Sequence, residues 1–255
     1  MKKIVLLGSG NIATLMYSVL QTNNFFQVTQ IYSRNEEHAK TLADRFCCDY
    51  TSKIECIKKA DIYVSVLKDD VSESIWNQIR FEKSILIHTS GSLDISVMKK
   101  SAEHFGVIYP LMTISKDRII DSKKIPVFIE YSDSETKECI EQLCGDKFHS
   151  VTELDSKSRS KLHLAAVFAN NFSNYMFSVS EGILKKNGIS FDLMFPIIEE
   201  TVEKIHYMSP FEAQTGPAIR FDKKIIDKHL SMLSGPEKEV YQTVSTAIFE
   251  MYKHK

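Results

Sequence analysis

The run Lys3-Ile4-Val5-Leu6-Leu7 leads without a break into Gly8-Ser9-Gly10-Asn11-Ile12-Ala13. A short apolar run of this kind reads as a buried strand, and the two glycines after it read as a tight turn. Residues 11–22 then carry an apolar helical pattern, and residues 28–32 form a second β-rich run that ends on Ser33-Arg34-Asn35. Strand, glycine turn, helix and strand in this order make a unit whose turn can hold a pyrophosphate.

The same alternation continues. Further strand candidates lie at residues 47–50, 62–67, 84–88, 106–109, 127–131 and 148–151, with helical patterns such as 36–46 and 70–79 between most of them. Alternation of this type predicts a mostly parallel sheet with helices on both faces. Asp70-x-x-Glu73 has the pattern of a capping box at the start of its helix. Pro126 falls at the start of its strand, where a missing N–H costs least.

The pattern changes near Asp155, beyond which no strand is expected. Residues 156–187 have helical apolar spacing and Gly188 is placed to end that helix. Three more helices are expected at 191–206, 222–233 and 236–252, separated by Ser209-Pro210, Thr215-Gly216-Pro217 and Gly235-Pro236. The fold class is therefore α/β, a sheet domain over 1–152 followed by an all-helical domain over 153–255.

Gly8 permits the turn, Gly10 lets the backbone come close to a ligand, and Ala13 is small enough for the helix to pack on the strand. The N–H groups around Asn11 and Ile12 would face the pyrophosphate, and the helix dipole favours that negative charge. Gly8, Ser9, Gly10, Asn11 and Ile12 are thus the candidate phosphate-binding residues. The alternative is an ordinary tight turn in an α/β domain.

For NAD, the second strand should end on a carboxylate that binds the adenosine ribose. Here Ser33, Arg34 and Asn35 stand there, a guanidinium and two short polar groups suited to a 2′-phosphate. NADP is therefore the expected cofactor, with Glu36 and a merely exposed Arg34 keeping the alternative open. Two more strand ends should line the cleft. Leu67 can pack on the cofactor there, and Thr89 and Ser90 offer hydroxyls near the nicotinamide. Asp69 and Asp70 are expected to serve in helix capping.

On the long helix, His163, Asn170 and Asn174 recur at spacings that share one face at about 100° per residue. A histidine there suits proton transfer in carbonyl–alcohol chemistry, and asparagines suit orientation of an oxygen. The same stripe also fits a polar seam between helices. Arg220, after the Gly-Pro turn, can bind an anion or pair with a neighbour such as Asp222.

Composition narrows the partners. A formal net charge of −1 gives no bulk attraction to nucleic acid or anionic membrane. The five cysteines include no Cys-x-x-Cys pair and fit neither a zinc site nor a disulfide framework, so no metal is expected and the thiols read as reduced. No signal-like h-region opens the chain and no apolar stretch approaches a membrane span, so a cytoplasmic protein is expected. Apolar rows on a four-helix domain call for a partner, and a homodimer through the C-terminal helices is expected.

Several segments together resemble one family: Gly8-Ser9-Gly10-Asn11-Ile12-Ala13, His88-Thr89-Ser90-Gly91-Ser92, Tyr109-Pro110-Leu111, the run from Lys161 to Phe172, and Ala213-Gln214-Thr215-Gly216-Pro217-Ala218. It is a bacterial family of NADP oxidoreductases with a Rossmann-like N-terminal domain and a C-terminal helical domain of unknown function. More distantly the layout is similar to pyrroline-5-carboxylate reductase, ketopantoate reductase, prephenate dehydrogenase and the β-hydroxyacid dehydrogenases. The resemblance implies hydride transfer between nicotinamide and a small carbonyl, imine or hydroxy compound in a cleft between the domains. The catalytic lysine that β-hydroxyacid dehydrogenases carry four residues before an asparagine is replaced here by Ala166 before Asn170 and Val167 before Asn171. Tyr109-Pro110 stands where prephenate dehydrogenases have His-Pro, so neither mechanism carries over. The competing expectation is a non-catalytic NADP-binding sensor or partner-binding protein on a reductase scaffold.

Overall fold

A computed structural model describes residues 1–20, 24–115 and 120–254. By its contacts the chain forms two compact units, Met1–Asn171 and Phe172–Lys255.

The first unit is built on an eight-stranded sheet of order β3-β2-β1-β4-β5-β6-β7-β8. Its strands are β1 (Lys2–Leu7), β2 (Phe26–Tyr32), β3 (Asp49–Thr51), β4 (Ile62–Ser65), β5 (Ile85–His88), β6 (His104–Pro110), β7 (Pro126–Tyr131) and β8 (Ser150–Glu153). Neighbours pair in parallel except β6 and β7, which are antiparallel. The order reverses between β1 and β4, and a ligand crevice belongs at the carboxyl ends of strands at such a point. The helices of this unit are α1 (Asn11–Leu20), α2 (Glu36–Phe46), α3 (Asp69–Trp76), α4 (Ser134–Cys144) and α5 (Ser156–Ala166). The part of the first helical pattern at residues 21–22 lies outside the described residues.

Alternation along β1 sends successive side chains to opposite faces. Ile4 and Leu6 enter a core shared with Ala13, Met16, Ala39 and Ile140, while Val5 and Leu7 enter another shared with Trp76, Met98 and Phe105. Both faces of the sheet are therefore covered, and every one of these residues is buried.

Local chemistry moves some boundaries. Cys47 ends α2 in a left-handed conformation (φ 51°), so β3 begins only at Asp49. Phe148 fills the core from the connection before β8. The capping box expected at Asp70 does not form. The helix starts one residue earlier, behind Lys68, which makes no side-chain cap, and Asp69 is drawn elsewhere. Asp69 and Asp70 still place negative charge at the positive end of the helix dipole. Asn35, Asp133 and Asp155 do cap α2, α4 and α5.

The long helix expected over 156–187 is interrupted. Val167–Phe172 is a π-helical stretch, which widens the turn and breaks the 100° step on which a shared His163–Asn170 face relies. Such stretches are frequent at functional sites.

The second unit is helical throughout: α6 (Ser173–Lys186), α7 (Phe195–Lys204), α8 (Pro210–Ala213), α9 (Lys223–Met232) and α10 (Gly235–Tyr252). Gly188 (φ 67°) follows α6 as its sequence position foretells. Among the described residues of this unit only Ala218 and Tyr252 are buried. Tyr252 stacks on Phe211 with ring centroids 4.3 Å apart and donates its hydroxyl to the Phe211 carbonyl at 2.5 Å.

Candidate functional site

The glycine turn stands at the carboxyl end of β1. Gly8 has φ 116°, and a Cβ on it would lie 2.9 Å from Val66 Cγ2 of the neighbouring connection. Its N–H donates to the Tyr32 carbonyl at 2.7 Å, which fixes the turn to the end of β2. Above Gly10 the space is open, with no atom within 4 Å of the position a Cβ would take. The first N–H groups of α1 have no partner within the helix. Open space over a glycine at a helix N-terminus fits a pyrophosphate, which needs close backbone approach and several N–H donors.

The end of β2 is tied to this turn. Ser9 donates its hydroxyl to Ser33 at 2.9 Å, and the Ser33 N–H donates to Thr51 at 3.1 Å. Arg34 is exposed, and its positive charge pulls down the Tyr32 hydroxyl pKa, which burial raises by more. An exposed guanidinium at the end of β2 can receive a phosphate monoester. Asn35 is partly committed, since its side chain accepts the His38 N–H at 2.9 Å as the cap of α2. The Asn11 side chain is committed as well, donating to the Ile114 carbonyl at 2.5 Å, which leaves its backbone N–H for a ligand.

Past β4, Leu67 is half-buried against the core that holds Trp76. Past β5, Thr89 is buried with its hydroxyl 3.4 Å from the Ser65 carbonyl. The Ser90 hydroxyl is occupied by the loop itself. It donates to Asp69 at 2.9 Å and accepts the Ser92 and Leu93 N–H groups, both at 3.1 Å. Ser92 donates to the same carboxylate at 2.5 Å, so Asp69 clamps this loop instead of capping α3.

Behind that loop lies a cluster that the sequence does not advertise. The Tyr109 hydroxyl, at the end of β6, is 2.9 Å from His163 Nδ1 on α5, and the two rings meet edge to face at 5.8 Å. Gly91 packs directly on this pair: a Cβ there would lie 2.6 Å from His163 Nδ1 and 2.8 Å from Tyr109 Cζ. Burial raises the Tyr109 pKa, and the Arg159 charge offsets part of that rise.

Arg159 itself is fully buried. Its guanidinium pairs with Glu130 on β7 and donates to the Leu93 carbonyl at 2.5 Å and to Ser156 at 3.1 Å. Ser156 donates to Glu130 at 2.7 Å and accepts the Ile95 N–H at 2.9 Å. His88, at the end of β5, is 2% exposed and its ring lies parallel to that of Trp76. Its Nδ1 accepts the Ser90 N–H at 3.1 Å, while its buried Nε2 has no hydrogen-bond partner among the described residues. Burial and then the Arg159 charge push its pKa down to about 3, so this imidazole is neutral.

Of the three expected catalytic residues, His163 is half-buried in this cluster and Asn170 is exposed on the π-helical stretch. Asn174 is exposed on α6, in the second unit. Arg220 is exposed in that unit too. Among the described residues no group of three or more His, Cys, Asp or Glu side chains is arranged to hold a metal ion.

A doubly wound sheet with a glycine turn at its topological switch defines a protein of the dinucleotide-binding Rossmann class. Residues 3–91 match the family model described as NADP oxidoreductase coenzyme F420-dependent, and residues 125–248 match a domain of unknown function. A solved structure from Bacteroides fragilis, described in print as a "putative NADP oxidoreductase", is 38% identical over 98% of both chains, with a TM-score of 0.90. The chain belongs to this family of NADP oxidoreductases. The fold is shared with a Plasmodium falciparum pyrroline carboxylate reductase solved with NADP bound (15% identity, 99% and 97% of the two chains, TM-score 0.61). It is shared also with a Streptomyces aurantiacus imine reductase (14% identity, 99% and 94%, TM-score 0.63). No match is found among the curated proteins.

Proposed function

We propose that the protein reduces a small carbonyl, imine or related compound with NADPH. The observation that carries this reading is the open backbone cradle at Gly10, joined by the Ser9–Ser33 hydrogen bond to a strand end that bears an exposed guanidinium instead of a carboxylate. The N–H groups of Asn11 and Ile12 bind the pyrophosphate, and Ser33 and Arg34 bind the 2′-phosphate, with Asn35 alongside. Leu67, Thr89 and Ser90 flank the nicotinamide. When bound, NADPH supplies a hydride.

His163 is the general acid. In its protonated form it gives a proton from Nε2 to the substrate oxygen or nitrogen as the adjacent carbon is reduced, and solvent restores that proton. Asn170 and Asn174 orient the substrate. Residues 1–152 act as the nucleotide-binding domain, and 153–255 as the substrate and dimerisation domain. The near absence of buried side chains in the second unit supports a homodimer formed through it. No helix among the described residues is long and apolar enough to cross a membrane, and we assign the protein to the cytoplasm.

A screen of carbonyl and imine metabolites, read by NADPH oxidation, tests the reading. Turnover with some substrate that is lost in His163→Ala supports it. Turnover that survives this substitution removes His163 from the mechanism. Failure of both NADPH and NADH to raise the melting temperature removes the nucleotide assignment altogether.

A further inference from the structure

We infer that Tyr109 is a positioning residue that fixes the neutral His163 ring with its hydrogen on Nε2. The inference rests on the proposed role of His163.

Tyr109 is buried, and its hydroxyl has one hydrogen-bond partner among the described residues, His163 Nδ1 at 2.9 Å. A phenol in such a place keeps its proton, and that proton needs an acceptor. If Nδ1 carried the hydrogen and donated to the phenol oxygen, the O–H would be left without an acceptor among the described residues. The favourable arrangement has Tyr109 O–H donating to Nδ1, which places the ring hydrogen of neutral His163 on Nε2. The nearby Arg159 charge acts in the same direction, because it makes the phenol a better donor.

The geometry is held from three sides. Gly91 packs against both rings, and even a methyl group there would overlap them. Its loop is clamped by Asp69 through Ser90 and Ser92, and by Arg159 through the Leu93 carbonyl. The neighbouring His88 is held in the same way, with the Ser90 N–H on Nδ1.

Nitrogen-15 NMR of the histidine side chains in the full-length protein tests this at about pH 8, where an ordinary histidine is neutral. His163→Gln identifies the His163 signals by their loss. The expected result is a wild-type His163 with hydrogen on Nε2, and Tyr109→Phe shifting the population toward Nδ1–H. A wild-type ring with hydrogen on Nδ1 overturns the inference. So does a Tyr109→Phe protein that stays folded and keeps the wild-type tautomer. Should Tyr109→Phe fail to fold, the wild-type spectrum alone decides. NADPH binding, measured separately, tests the proposed function: its loss would leave the tautomer standing, and an Nδ1–H ring would leave the binding standing.

Discussion

Arg159 and Glu130 form an ion pair inside the first unit, with the arginine side chain 1% exposed and the carboxylate side chain 18%. Arg159 lies on α5 and Glu130 on β7, so the pair fastens the helix that carries His163 to the sheet that carries Tyr109. Desolvating such a pair is costly, and its Coulomb energy repays that cost only with good hydrogen bonding around it. Here Ser156 and the Leu93 carbonyl supply part of it.

Breaking the pair on one side should be severe. Arg159→Met strands a largely buried carboxylate, and the expected loss is about 3–5 kcal/mol in urea unfolding. Arg159→Met with Glu130→Met should lose much less, because no charge is then left unpaired. If the double variant is as unstable as the single one, the coupling between the two residues is absent.

The glycines of the two loops should respond in opposite ways. A methyl group at Gly10 enters open space, so Gly10→Ala should leave stability within about 0.5 kcal/mol of wild type. Its cost should appear in NADPH binding, which needs that space. A methyl group at Gly91 meets the His163 and Tyr109 rings below 3 Å, and Gly91→Ala should cost about 1–3 kcal/mol. Melting curves with and without NADPH separate the two effects, and a Gly10→Ala protein that binds NADPH as wild type does would remove the phosphate from this turn.

Arg34 separates the two nicotinamide cofactors. A charge-assisted hydrogen bond to a phosphate is worth about 1.5–3 kcal/mol, so Arg34→Ala should weaken NADPH by about 10- to 100-fold. NADH, which lacks the 2′-phosphate, should change little. Titration calorimetry with both cofactors checks this, and equal weakening would mean that Arg34 does not read the phosphate.

His88 gives the fold an acid weakness in a clean window. Its folded pKa, pushed down to about 3, lies below the unfolded value of about 6.5. The stability it contributes is therefore complete above pH 6.5 and is lost as the pH falls toward 3. Between pH 6.5 and 4.5 the expected loss is about 2–3 kcal/mol. His104 does not blur this range. Its hydrogen bond to Asp133 raises its pKa, so its contribution is complete below pH 6.5 and is lost only as the pH rises through its folded value. The depressed carboxylates Asp94 and Asp155 act below about pH 4. Chemical denaturation of wild type and His88→Gln at several pH values should show a slope in the first and little in the second.

What was legible in the chain is what short-range pattern encodes. Short apolar, β-rich runs made all eight strands visible, and the glycine turn after β1 was readable because Gly8 and Gly10 stand between a strand and a helix. The cluster behind Gly91 was not readable, because its members come from β5, β6, β7 and α5 and meet only through the sheet order. Arg159 sits in Ser156-Lys157-Ser158-Arg159-Ser160-Lys161, a run that looks solvated, and only the Glu130 carboxylate across the sheet explains its burial. Tyr109 and His163 were both noticed, but for separate reasons. The π-helical stretch was hidden too, since Val167–Phe172 has ordinary helix-compatible residues.

The second unit leads to the last prediction. Its large apolar side chains are on the outside: Leu193 is 65% exposed, Ile197 63%, Tyr207 78% and Met232 68%. At about 25 cal/mol per Å² of apolar surface, so many exposed side chains represent a large driving force for association. A second copy offers the same surface, and a closed two-fold dimer buries it symmetrically. The protein at micromolar concentration should therefore have twice the mass of one chain by light scattering. Ile197→Glu should shift the mass toward the monomer and lower the melting temperature, because it puts a charge into the buried surface of the dimer. A wild-type protein that is monomeric and melts at the same temperature at every concentration would mean that these helices are stable without a partner.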